Sequence, residues 1–244
     1  MELNKIHNED CLEGMKRIPD KSVDMILCDL PYGTTACKWD TIIPFEPLWE
    51  QYKRVIKDHG AIVLTSSQPF TSALVMSNPK WYKYSWVWNK SRAANGPIAR
   101  FQPLKYHEDV LVFGNGRTEY NPQGLKYIGK EVSQGGESSD VVGGRTRKKR
   151  YIQQYTNYPS SIQVFKNESN TIHPTQKPVA LFEYLIETYS KENETVLDNC
   201  MGSGTTAIAC INTGRNFIGF ELDETYFNLA NERINKHNEN LEHN

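Results

Sequence analysis

Thr195-Val196-Leu197-Asp198-Asn199-Cys200-Met201-Gly202-Ser203-Gly204-Thr205-Thr206 reads as a short buried strand running into a glycine turn and then a helix. Ile208 and Ile211 carry that helix to Gly214, and Phe217-Ile218-Gly219-Phe220 is a second strand ending at an acid, Glu221. Strand, Gly-x-Gly, helix, strand and acid make up a nucleotide-binding βαβ unit. The glycines let the backbone turn tightly and approach a ligand. The helix start offers unpaired N–H groups, and a carboxylate at the next strand end can accept both ribose hydroxyls. Three readings of the loop stay open. In the first, Gly202 and Gly204 only make a tight turn. In the second, Ala207 serves as the third small residue of a dinucleotide fingerprint, and the protein is an NAD-dependent dehydrogenase. Asp198 favours the third, a methyl donor: an acid ahead of the glycines repels a pyrophosphate but suits a sulfonium or amino group.

Outward from this unit, strands keep alternating with helices. Pro178 opens a helix whose buried face is Leu181, Phe182, Leu185, Ile186 and Tyr189. A last helix, capped by Asp223, carries Tyr226, Phe227, Ala230 and Ile234 and is expected to fray from Lys236. In the other half, residues 7–18 carry a helical stripe capped by Asp10 or Asn8. Val23-Asp24-Met25-Ile26-Leu27 is a buried strand, and residues 46–57 form a helix that Asp58-His59-Gly60 ends. Further strands are expected over residues 61–65, 84–90 and 109–113, with a helix opening at Pro69. The pattern predicts an α/β protein with a doubly wound, mostly parallel sheet.

At 244 residues the chain is expected to be one domain with a smaller insertion. A net charge of −1 gives no chain-wide nucleic-acid signature, so any such signal must be local. The five cysteines show no Cys-x-x-Cys pair and no zinc spacing, which points to a reduced, cytoplasmic protein without a metal. No apolar run approaches the roughly 20 residues of a membrane span.

The first strand exits through Cys28-Asp29-Leu30-Pro31-Tyr32-Gly33. Proline stiffens that exit, leaving a carboxylate and carbonyls beside an aromatic face: acceptors for an amine and a ring to stack on. The polar loop that follows carries Lys38 and Trp39, suited to covering a substrate. After Gly114 the chain loses its apolar period until His173, and within that stretch Arg145, Arg147, Lys148, Lys149 and Arg150 pack five cations with no acid, next to Tyr151. A solvated charge run and a phosphate-contacting surface are both open readings; the neighbouring tyrosines favour the second.

Asp29-Leu30-Pro31-Tyr32 resembles the Asp-Pro-Pro-Tyr catalytic motif of amino-methylating DNA methyltransferases, with Leu30 in place of the first proline. The Gly202 loop resembles the donor loop of S-adenosylmethionine-dependent methyltransferases, which usually has Phe where this chain has Cys200. His173-Pro174-Thr175-Gln176-Lys177-Pro178 resembles a signature of the same DNA-methylating family. Asp10-Cys11 looks like its contact to the donor's adenine. Trp88-Asn89-Lys90 and the run His107–Phe113 resemble its later strands. Catalytic motif first, donor loop last and a variable insertion between them is the order of the family's β group.

That resemblance, which covers nearly the whole chain, implies a seven-stranded Rossmann-like sheet with a target-recognition region inserted at about residues 115–165. Transfer from S-adenosylmethionine to the N6 amine of a flipped-out adenine is implied, with S-adenosylhomocysteine as product. Asp29, Leu30, Pro31 and Tyr32 would be catalytic. Asp10, Cys11, Asp29, Lys177, Asp198, Cys200, Gly202, Gly204, Thr205, Thr206 and Glu221 would hold the donor. Lys38, Trp39 and the run from Arg145 to Tyr151 would contact DNA. A homodimer and a cognate restriction endonuclease are implied as candidate partners. Cytosine-N4 transfer, a non-catalytic DNA-binding homologue and an RNA or protein amine methyltransferase are the rivals. One structural expectation follows: strands ending at Asp29 and Asp198 should lie side by side at a topological switch point.

Overall fold

The computed structural model describes residues 1–242 apart from 36, 38, 39, 135–148, 170 and 174, and leaves the side chains of 133, 134 and 149 undescribed. In chain order the first half comprises β1 (Lys5–Asn8), α1 (Cys11–Met15), β2 (Val23–Asp29), α2 (Phe45–Val55), β3 (Ile56–Ser66), α3 (Phe70–Ser77), β4 (Tyr82–Lys90) and β5 (His107–Phe113). Then come β6 (Lys126–Gln134), β7 (Lys149–Thr156), β8 (Ile162–Phe165), α4 (Val179–Tyr189), β9 (Thr195–Asp198), α5 (Thr205–Thr213), β10 (Asn216–Glu221) and α6 (Glu224–Glu242).

The central strands are apolar on both faces, as a sheet covered by helices on each side requires. On β2, Met25 and Leu27 join one core with Leu181, Phe182 and Leu185 of α4 and Ala207 and Ile208 of α5. Ile26 and Cys28 join the other with Met15 of α1, Leu48 and Tyr52 of α2 and Leu74 of α3. Strand β3 alternates likewise, Ala61 and Val63 against Ile62 and Leu64. Two-residue periodicity thus feeds two cores, and the sheet is doubly wound as expected.

Sheet order is β1-β10-β9-β2-β3-β5-β4-β8, and every neighbouring pair is parallel except those involving β5. Met25 pairs with Val196 and Ile26 with Leu197, so β2 and β9 are neighbours. From β9 the chain winds one way to β10, and from β2 the other way to β3, which makes β2/β9 the switch point.

Several local expectations need correction. The sheet has eight strands among the described residues, not seven; β8 adds itself to β4 at the edge. The helical stripe over 7–18 shrinks to α1, with Asp10 as cap, because residues 5–8 pair with β10 instead. Asn8 does not cap; its amide donates to the carbonyls of Glu221 and Leu222. Helix α2 ends at Val55, since Ile56 turns extended and pairs with Val23. Helix α6 runs on to Glu242 instead of fraying at Lys236. No proline or glycine interrupts that polar stretch, and His237 Nε2 lies 2.6 Å from Asn212 Oδ1 of α5.

The chain divides into two compact units, 1–121 with 161–244, and Pro122–Ser160. Within the smaller unit β6 and β7 form an antiparallel hairpin, Lys126 opposite Thr156 and Val132 opposite Tyr151. Residues 115–121 and 161–165, at the ends of the expected insertion, fall in the larger unit.

Candidate active site

The carboxyl ends of β2, β9 and β10 open onto a cavity of about 1050 Å3 in the larger unit. Asp29 to Tyr32, Asp198 to Ser203, Glu221, Asp10 and Cys11 all line it. Two stretches far apart in sequence therefore share one crevice, where the switch point put them.

Asp29 ends β2 with its carboxylate held from three sides. Lys177 Nζ donates to Oδ2 at 2.6 Å, Tyr32 Oη donates to Oδ1 at 2.8 Å, and the Thr65 hydroxyl donates to the same oxygen. A carboxylate offers about four acceptor positions. Three are taken, so one remains for a further donor. Tyr32 stacks on Phe70 with ring centres 5.2 Å apart, which fixes its hydroxyl toward Asp29.

Lys177 is buried and lies 3.4 Å from Glu108 Oε2, while Lys90 bonds the other Glu108 oxygen. Burial disfavours the Lys177 charge, but the Asp29 and Glu108 carboxylates outweigh it and hold the ammonium above the ordinary lysine range. Burial pushes Glu108 up; Lys177 and Lys90 more than reverse this and keep it ionised. Asp29, Lys177, Glu108 and Lys90 thus form one alternating charge chain. Glu108 and Lys90 were quoted in the sequence only as strand residues. Each stands at the polar end of its strand, Glu108 beside Asp109 and Lys90 beside Asn89, and only the β4–β5 register joins them.

The glycine loop after β9 is built for close approach. Gly202 and Gly204 take φ values of +52° and +77°, where a side chain is strained, and a Cβ on Gly204 would lie 3.3 Å from Ala230 Cβ. Beneath the loop, Asp198 accepts the Cys200 N–H at 3.0 Å and the Thr206 hydroxyl. Burial raises its carboxyl to about 6. Glu221 accepts the N–H of Gly202 at 2.7 Å and of Asp223 at 2.9 Å. Both acids therefore shape the loop as well as line the cavity. Arg233 Nη1 donates to the Ser203 carbonyl at 2.9 Å and to Thr205 Oγ1 at 3.1 Å, tying α6 to the start of α5.

Beyond Tyr32, the N–H groups of Gly33, Thr34 and Thr35 converge on the Asp40 carboxylate at 2.7–2.8 Å. Burial opposes that charge, but the Thr35 hydroxyl and these N–H bonds outweigh it and hold Asp40 below its usual range. Residues 33–35, of which Thr34 and Thr35 line the cavity, are therefore pinned to Asp40. His173 also lines the cavity, its ring 4.2 Å from that of Tyr226.

Residues 23–232 match the N6/N4 DNA methylase family. The chain belongs to that family. Among curated relatives, the type II methyltransferase M.HinfI of Haemophilus influenzae is 26% identical, over 95% of this chain and 68% of its own. M1.MboII of Moraxella bovis is also 26% identical, over 97% and 98%. The structure of M1.HpyAVI with S-adenosylmethionine superposes with a TM-score of 0.63 at 25% identity, covering 94% of this chain and 98% of that one. The cytosine-N4-specific PvuII methyltransferase shares the fold, with a TM-score of 0.68 at 14% identity.

A methylase of this family uses S-adenosylmethionine, whose sulfonium supplies an electrophilic methyl group. The cavity suits it: the loop is stripped of side chains at Gly202 and Gly204, and Glu221 and Asp10 place carboxylates on the wall. Asp10 caps α1 through one oxygen, accepting from Leu12 and Glu13 N–H. Thr205, Thr206, Lys177 and Cys200 line the same space. Among the described residues no group of His, Cys, Asp and Glu is placed to hold a metal ion, and no helix is long and apolar enough to cross a membrane.

The expected DNA contacts fare differently. Lys38, Trp39, Arg145, Arg147 and Lys148 lie outside the described residues, and of Lys149 only the backbone is described. Arg150 and Tyr151 sit exposed on β7, with Arg150 Nη1 3.9 Å from Glu131 of β6.

Proposed function

We propose that this DNA methyltransferase acts on the exocyclic N6 amine of adenine in DNA. The observation that carries the reading is the Asp29 carboxylate on the cavity wall, with three acceptor positions filled and one open. In the family that this chain resembles, aspartate at this motif position accompanies adenine and serine accompanies cytosine.

An exocyclic amine is a weak nucleophile because its lone pair is delocalised into the ring. Asp29 accepts one of its N–H bonds in the open position, and the Leu30 or Pro31 carbonyl accepts the other. The nitrogen then becomes more tetrahedral, and its lone pair is freed to point at the methyl carbon. Lys177, Tyr32 and Thr65 hold the carboxylate still, so orientation supplies much of the acceleration. Tyr32 stacks on the base. A paired amine is unreachable inside a duplex, so the nucleotide is flipped out or taken from a single strand.

Glu221 receives the donor's ribose, Asp10 and Cys11 its adenine, and Asp198, Cys200, Thr205, Thr206 and Lys177 complete its pocket. Residues of about 115–165 read the target sequence, with the cations from Arg145 to Arg150 on phosphates. The setting is cytoplasmic, with a homodimer and a cognate restriction endonuclease as candidate partners.

The test is transfer of labelled methyl to unmethylated DNA, followed by nucleoside mass analysis. N6-methyladenosine supports the reading. N4-methylcytosine keeps the mechanism and reverses the base, and absence of transfer refutes the assignment.

A further inference from the structure

Between β4 and β5 the chain makes a loop, residues 91–106, that the donor and amine sites do not use beyond its base. Ala94 and Lys105 at that base line the cavity. The neck is pinned: Asn95 Nδ2 donates to the Pro103 carbonyl at 2.9 Å, and Asn95 Oδ1 accepts the Lys105 N–H at 2.6 Å. Lys105 Nζ also bonds Ser67, just past the end of β3. Since both ends of the tip are held, no backbone atom in it lies further than about 14 Å from the neck.

That tip has an unusual surface. Phe101 is 87% exposed, and Ile98, Leu104 and Tyr106 are exposed with it. Single exposed apolar side chains are ordinary, but four on one short loop beside a cavity mark a binding surface. The loop carries Arg92, Arg100 and Lys105 and no acid. Arg92 and Arg100 are exposed, and neither makes an ion pair among the described residues. Aromatic and apolar tips interleaved with free guanidinium groups fit a polyanion with stacked flat faces: nucleic acid.

We propose that this loop docks on duplex DNA beside the cavity, with Arg92 and Arg100 on phosphates and Phe101 stacked among the bases. The inference rests on DNA being the substrate, and adds a binding surface separate from the inserted region. Charge and stacking leave different signatures. Taking one cation away from a phosphate lowers the slope of log affinity against log salt by about 0.9, whereas removing a neutral ring leaves that slope alone.

The sequence methylated by the wild-type enzyme is mapped first, and binding of a duplex bearing it is then measured with S-adenosylhomocysteine present. Phe101→Ala should weaken binding by roughly 5- to 150-fold, the range of an aromatic–base stack, at unchanged salt slope. Phe101→Trp should restore it. The double variant Arg92→Ala/Arg100→Ala should lower the slope by about 2. Donor affinity, unchanged in every variant, checks folding. Wild-type affinity in Phe101→Ala, or a wild-type slope in the arginine variant, overturns the proposal. A wild-type enzyme that methylates no DNA removes the substrate itself, and this inference with it.

Discussion

Replacing Asp29 by asparagine preserves side-chain shape and removes one charge, and its consequences can be counted. The carboxylate offers about four acceptor positions and the amide oxygen only two. Lys177, Tyr32 and Thr65 already compete for three, so none is left for an incoming amine. Losing a charge-assisted hydrogen bond to the reacting nitrogen, together with its orientation, should lower kcat by about 100-fold or more. Stability should fall as well. Breaking a buried ion pair costs about 3–5 kcal/mol. Here the Asp29 side chain is 22% exposed against 6% for Lys177, and Lys177 keeps Glu108 at 3.4 Å. A loss of about 1–2 kcal/mol is therefore expected. Steady-state transfer of labelled methyl gives kcat and KM, calorimetric titration gives donor affinity, and urea unfolding gives stability. Donor affinity should change by less than about fivefold, because the missing interaction belongs to the reacting amine. A kcat within about tenfold of wild type, or donor affinity falling in step with kcat, would refute Asp29 as the acceptor of the amine.

Gly204→Ala should cost about 1–2 kcal/mol in urea unfolding from its left-handed backbone, and weaken donor binding as the loop shifts from Ala230. Asp198 binds its proton more tightly folded, at about 6, than unfolded. It therefore destabilises the fold increasingly as pH rises from about 4 to 6, by about 3 kcal/mol once fully ionised. Asp198→Asn should remove that component, so the difference between the two stability–pH curves should appear across this window; parallel curves would contradict the burial argument. Neutralising Arg145, Arg147, Lys148, Lys149 and Arg150 together should lower the salt slope of DNA binding by roughly 4–5, and an unchanged slope would remove that run from the DNA surface.

Two features carried most of what could be read in advance. Largely apolar runs at residues 23–27 and 61–65 announced strands buried on both faces, and two acids at strand exits announced a switch-point crevice. The edges were harder. Strand β1 has one core residue, Ile6, and exists because Asn4 and its neighbours pair with β10. Strand β8 is half exposed and owes its place to β4. Among its described side chains the β6–β7 hairpin shows no buried face with an apolar period, so these residues carry no signal of two-residue alternation.

The sequence by itself determined the winding of the sheet, the glycine loop, the exit at Asp29 and the family those imply. Each depends on neighbours in the chain: two-residue periodicity, backbone freedom at glycine, and short-range motif order. Only the tertiary structure decided that Lys177 of one segment, Glu108 and Lys90 of two others and Thr65 of a fourth meet around Asp29. It alone also showed that Asp198 and Glu221 spend acceptor capacity on their own loop, and that Phe101 stands out in solvent on a pinned tip. Such facts depend on which strand lies beside which and on what burial does to a charge. Neither is a property of any local stretch of residues.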